Sequence, residues 1–153
     1  MTGDQRVRSV SMNAAIGPDR NNQPKRPSVN WLPSPPYRIY VWETEMIRPA
    51  PVDVWVFVDE NPDSINDGAF AVQMPSCANA TAWVDYPATY HNNAAGYAFA
   101  DGHAEMHKWL QPSKMAPITY VWLIRVAAGP NSPDVIWLAD HTSGRIDMGP
   151  LPF

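Results

Sequence analysis

The chain has 153 residues, with 11 basic side chains against 15 acidic ones, for a formal charge of −4. That length suits one domain spanning 1–153, with 1–5 and 143–153 at its periphery, and seventeen prolines exclude long helices. The acidic balance and the lack of a Lys/Arg cluster argue against a nucleic-acid partner, the single Cys77 rules out an internal disulfide, and no run approaches the ~18 apolar residues of a membrane span.

The opening MTGDQRVRSV has no apolar core of a secretion signal. Residues 5–13 alternate around Val7 and Val10 and predict a first strand. From Gly17 to Pro36 the composition is that of a loop. YRIYVW at 37–42 is aromatic and β-branched, which predicts a second strand. DVWVFV at 53–58 is apolar on both parities, the pattern of a central strand buried on both faces.

The turn-rich DENPDSINDG at 59–68 leads into a further strand, GAFAVQM. Residues 75–95 are irregular. In ITYVWLIRVAAG at 118–129 the β-formers from Ile118 to Trp122 predict a strand, although a buried helix has the same composition. Ser132-Pro133-Asp134 is a helix-start pattern, placing a turn or two of helix within 131–142.

The strongest local signal is YAFADGHAEMHKW at 97–109. Asp101-Gly102 suits a two-residue hairpin turn with positive φ at both positions. That turn pairs Phe99 with Ala104 and Tyr97 with Met106, giving one apolar face, with His103, Glu105 and His107 on the other. His103 and His107 would lie about 13 Å apart along the strand, too far to share one ion. The fold expected is mainly β with minor α content: an antiparallel sheet, a hairpin in the C-terminal half, long Pro/Asn-rich loops and short helical turns.

His91 is followed by nine residues and then Asp101-Gly102, within WVDYPATYHNNAAGYAFADGHAEMHKW. This string resembles the H-X9-DG region of bacterial prepilin-like proteins, the pseudopilins of type II secretion and type IV pilus-like systems. RSVSMNAAIG, VFVDENPDSINDGAF and SPDVIWLADHT fall in the order the family expects, so the resemblance spans most of residues 6–142. The family begins with a leader, a GFTLIE-like processing site and a long apolar helix. The sequence contains none of these and resembles the C-terminal globular head, either separated from that helix or belonging to a helix-less relative.

The resemblance implies a non-enzymatic filament subunit, extracellular or periplasmic, whose partners are copies of itself or other pilin-like subunits and whose membrane contact depends on the N-terminal helix. His91, Asp101 and Gly102 become its structural signature, with His91 tying down the loop before the hairpin through Asp101, Asp59 or Glu60. Pseudopilins also use calcium in a loop of the head, which makes Asp59, Glu60, Asp63 and Asp67 candidate calcium ligands, with Asp134 in a second such loop.

Calcium prefers oxygen donors of this kind, yet Asp, Asn, Ser and Gly equally close turns by bonding their own backbone. Two rival functions remain. Seven tryptophans fit a carbohydrate-binding or adhesion module that stacks exposed rings on sugars; the alternative is structural, with Trp55 and Trp109 in the core and Trp31, Trp42 and Trp83 covering loop-rich edges. A metal-dependent hydrolase would use His91, Asp59, Glu60 and His103, but no nucleophile with an ordered base stands beside them. Cys77 lies in a loop without a partner motif, and Asn79-Ala80-Thr81 is a formal glycosylation sequon.

Overall fold

The computed structural model describes residues 9–17, 36–75, 83–120, 129 and 131–150. The fold is mainly β: among the described residues it has one five-stranded sheet and one α-helix. Its strands are β1 (Val10–Asn13), β2 (Trp55–Asp59), β3 (Ala69–Phe70), β4 (Ala94–Phe99) and β5 (Ala104–Lys108), arranged β3-β1-β2-β4-β5. The sheet is mixed rather than purely antiparallel, because β1 runs parallel to β3. Helix α1 (Pro133–Asp140) follows Ser132, and its Pro133 fills the first helical position, where no backbone N–H is needed.

β2 is the central strand, as its composition predicts, but it is not buried on both sides. The register slips between Trp55 and Phe57, which pair with Phe99 and Ala98. This bulge inserts Val56 as an extra residue, so Trp55 and Val58 both reach the core, at 0% and 1% exposure, while Phe57 turns outward. Trp55 then packs edge-on against Phe70 and Tyr97, with centroids 5.6 and 5.9 Å away. Its indole N–H donates to Thr142 Oγ1 at 3.0 Å, which satisfies the one polar atom that burial would otherwise leave unmet.

The hairpin lies where Asp101-Gly102 predicts but closes differently. Phe99 N–H donates to His103 O, and Gly102 N–H to Phe99 O, so the loop has three residues, Ala100 to Gly102. Gly102, at φ 95°, supplies the left-handed position, and Asp101 is not in that region. This is the type I turn with a following glycine bulge. The pairing therefore moves by one residue, to Tyr97 with Glu105 and Ala98 with Ala104.

A one-residue slip exchanges the faces of a strand. Tyr97 and Phe99 share theirs with His103, Glu105 and His107, whereas Ala104 and Met106 join Gly96 and Ala98 on the other side. The expected apolar face of Tyr97, Phe99, Ala104 and Met106 is thus divided between the two faces of the sheet.

Residues 37–42 do not form a strand. Tyr37 and Tyr40 each make an isolated bridge, to Arg145 and Ile16, because their side chains anchor elsewhere: Tyr37 OH donates to Pro75 O, and Tyr40 OH accepts Gly144 N–H at 2.9 Å. The strand expected at 68–74 shortens to Ala69–Phe70. That expected at 118–129 falls largely outside the described residues, as do Cys77 and Asn79. The segment from 143, expected at the periphery, begins inside: Ser143 is buried and donates to Arg38 O at 2.7 Å.

Candidate functional site

The two faces of the sheet have different fates. One carries Trp55, Val58, Phe70, Tyr97 and Phe99 into the main core with Val135 and Leu138 of α1. The other is open. There Val10, Phe57 and Met106 are 44%, 46% and 54% exposed, and with Gly96, Ala98 and Ala104 they line a shallow depression of about 440 Å³. The strip crosses β1, β2, β4 and β5. Contiguous exposed apolar surface of this kind marks interaction sites on soluble domains.

At the end of this strip stands Asp59. Its Oδ2 accepts Gly96 N–H at 3.2 Å and lies 3.4 Å from His91 Nε2. His91 is half exposed and packs edge-on against Tyr90, with centroids 4.6 Å apart. Burial and the nearby Asp59 charge push the Tyr90 hydroxyl above its ordinary range. Of the three partners expected for His91, the structure places Asp59 beside it.

Asp101 lies at the other end of β4, about 20 Å of strand away. It accepts His103 N–H at 3.1 Å and meets His103 Nδ1 at 2.6 Å, contacts that hold its carboxyl below the usual range. His91 and the Asp101-Gly102 turn are therefore two separate features joined by one strand.

The candidate calcium ligands do not converge. Glu60 is fully buried and accepts the hydroxyls of Ser11 and Ser64. Asp63 accepts Thr119 N–H and Oγ1–H at 2.6 and 2.9 Å. Asp67 accepts Ala69 N–H at 2.8 Å. Asp134, only 1% exposed, takes Leu110 and Gln111 N–H at 2.8 Å each, and so ties the chain after the hairpin to the start of α1.

Each of these carboxylates meets protein donors in a different place, which is turn and loop closure of the kind Asp and Ser provide. Among the described residues no group of three or more His, Cys, Asp or Glu is placed to hold a metal ion. The hydrolase set is likewise divided: His91 and Asp59 adjoin, Glu60 faces inward, and His103 is at the hairpin tip.

Of the tryptophans, Trp55, Trp83 and Trp109 are buried and Trp42 is 68% exposed, which places Trp83 in the core and not at an edge. Trp31 and Trp122 lie outside the described residues. Trp137 stacks on His107 and His141. Sequence reasoning did not assemble the open strip, because it depends on the β2 bulge and on the hairpin slip. Among the described residues no helix is long and apolar enough to cross a membrane. Comparison with family models, curated proteins and solved structures gave no match.

Proposed function

We propose that the domain is the non-enzymatic globular head of a pilin-like filament subunit, working outside the cell or in the periplasm and assembling with copies of itself or with related subunits. The observation that carries this reading is the one-sided sheet: a packed face toward α1, and an open apolar strip of Val10, Phe57, Ala98, Ala104 and Met106. An assembly subunit needs a surface whose burial drives association, and apolar area removed from water supplies ~25 cal/mol per Å².

His91, on which the resemblance to the H-X9-DG region turns, stands beside Asp59 at the margin of this strip. Its tie to Asp59 supports a role in holding that margin in shape. The scattered carboxylates, each meeting protein donors in a different place, favour a structural subunit over a hydrolase. Immunogold electron microscopy of cells making the natural protein tests the proposal: labelled filaments are expected, and label confined to dispersed monomer would contradict it.

A further inference from the structure

Three of the four histidines belong to one continuous row of rings on the packed side of the hairpin. His103 stacks on Phe99 at 4.4 Å, with planes 6° from parallel. His141 meets Phe99 edge-on at 6.4 Å and stacks on Trp137 at 4.4 Å. Trp137 in turn lies on His107 at 3.5 Å and 14°. The hairpin contributes Phe99, His103 and His107, and α1 contributes Trp137 with His141 just past its end.

His107 Nε2 is buried without a hydrogen-bond partner among the described residues. A neutral imidazole can leave that nitrogen as a bare acceptor, whereas an imidazolium carries N–H at both positions. A buried N–H with no acceptor is costly, more so when charged.

We propose that this row is an acid-sensitive clamp: while His107 is neutral the stack holds α1 against the hairpin, and a proton on His107 loosens it. The groups facing His107 are Asp134 and His141 from the helix side, Tyr97 from β4, and Glu105 from its own strand. Burial disfavours the cation most, Asp134 and Glu105 favour it, and His141 opposes it; the outcome is a pKa below the ordinary value.

A lone imidazolium gains from an aromatic face. Here the same indole also carries the His141 imidazole, whose electrostatic effect opposes a cation at His107. His103 is instead paired with Asp101, its Nδ1 lying 2.6 Å from the carboxylate. Because the docked form binds the His107 proton less tightly than the undocked form, docking is fully supported above about pH 6.5 and weakens as pH falls toward the depressed value.

Hydrogen exchange at pH 7.5 and pH 5, corrected for intrinsic rates and read beside an NMR titration of His107, tests the clamp. The amides of Ile136, Leu138 and Ala139 are expected to lose about tenfold or more in protection while Val58 and Tyr97 keep theirs. The His107 ring should titrate below the free value. His107→Phe keeps the ring without the charge and should hold α1 protection constant across this range. Flat α1 protection in the wild-type protein, loss shared equally by β2 and β4, or an unchanged acid response in His107→Phe would each overturn the clamp. If that variant does not fold, a wild-type His107 titrating at or above the free value overturns it, and one titrating below, together with selective α1 loss, supports it.

Discussion

Asp59 Oδ2 accepts the Gly96 backbone N–H at 3.2 Å, and a Cβ built on Gly96 would stand 2.8 Å from that same oxygen. The bond joins β2 to β4 at the margin of the open face, so a side chain at 96 would meet the Asp59 carboxylate by close approach, with no unusual φ involved. Gly96→Ala should displace the carboxylate and lower stability by about 1–3 kcal/mol, the cost of an unmet partner. His91→Ala should cost about 0–1 kcal/mol, since its contact with Asp59 is largely exposed. Urea denaturation of both variants checks the order; a larger loss for His91→Ala would mean that the imidazole, and not the backbone bond, fixes this corner.

At the hairpin tip Gly102 has φ 95° and nothing within 4 Å of a built Cβ. Gly102→Val should therefore destabilise through backbone strain alone, by about 1–3 kcal/mol. Thermal melting checks this. An unchanged melting temperature would show that the loop does not need the left-handed residue.

Asp134 joins the chain after β5 to α1 through two backbone N–H groups. Asp134→Ala leaves both donors unmet and should cost about 2–4 kcal/mol, because bonds to a charged acceptor contribute about 1.5–3 kcal/mol each and the site relaxes in part. Chemical denaturation measures it. Millimolar calcium, in contrast, should leave the wild-type melting temperature unchanged; a saturable rise reversed by chelation would show the acidic loop gathering around an ion.

Asp85 accepts Ala71 N–H at 2.6 Å near β3, and burial, opposed by that bond and aided by Asp67, pushes its pKa up to about 6. The folded form thus binds the Asp85 proton more tightly than the unfolded chain. Its contribution to stability is full below about pH 3.8 and is lost as pH rises through about 6. Asp85→Asn should accordingly gain on the wild-type protein as pH rises from 4 to 7. Parallel melting curves across that range check the sign, and a variant that loses ground to the wild-type protein as pH rises would reverse it.

Particular residues show what could be read from the chain. Val54 to Val58 marked β2 as central because an apolar run on both parities has few other places to go. Ser132-Pro133-Asp134 marked the start of α1 through backbone chemistry local to those residues. The bulge at Val56 left no such mark, and Phe57 was therefore assigned to the interior.

Asp101-Gly102 located the hairpin but not its register, since Gly102 serves a three-residue loop as readily as a two-residue one. The slip moved Ala104 and Met106 to the open face, where they complete the candidate surface. Tyr37 to Trp42 had strand composition, but tertiary anchors at Pro75 and Gly144 overrode it. Asp59 was among the partners expected for His91. The stack of His107 on Trp137 joins residues thirty apart, which no local pattern in the sequence relates.

If the open sheet face drives assembly, the double variant Phe57→Lys with Met106→Lys should block it. Both side chains are about half exposed, so the purified head should melt within a few degrees of the wild-type protein. In cells making the protein, the same pair should abolish incorporation into filaments seen by electron microscopy. Normal incorporation of the doubly charged protein would show that the open face does not drive assembly.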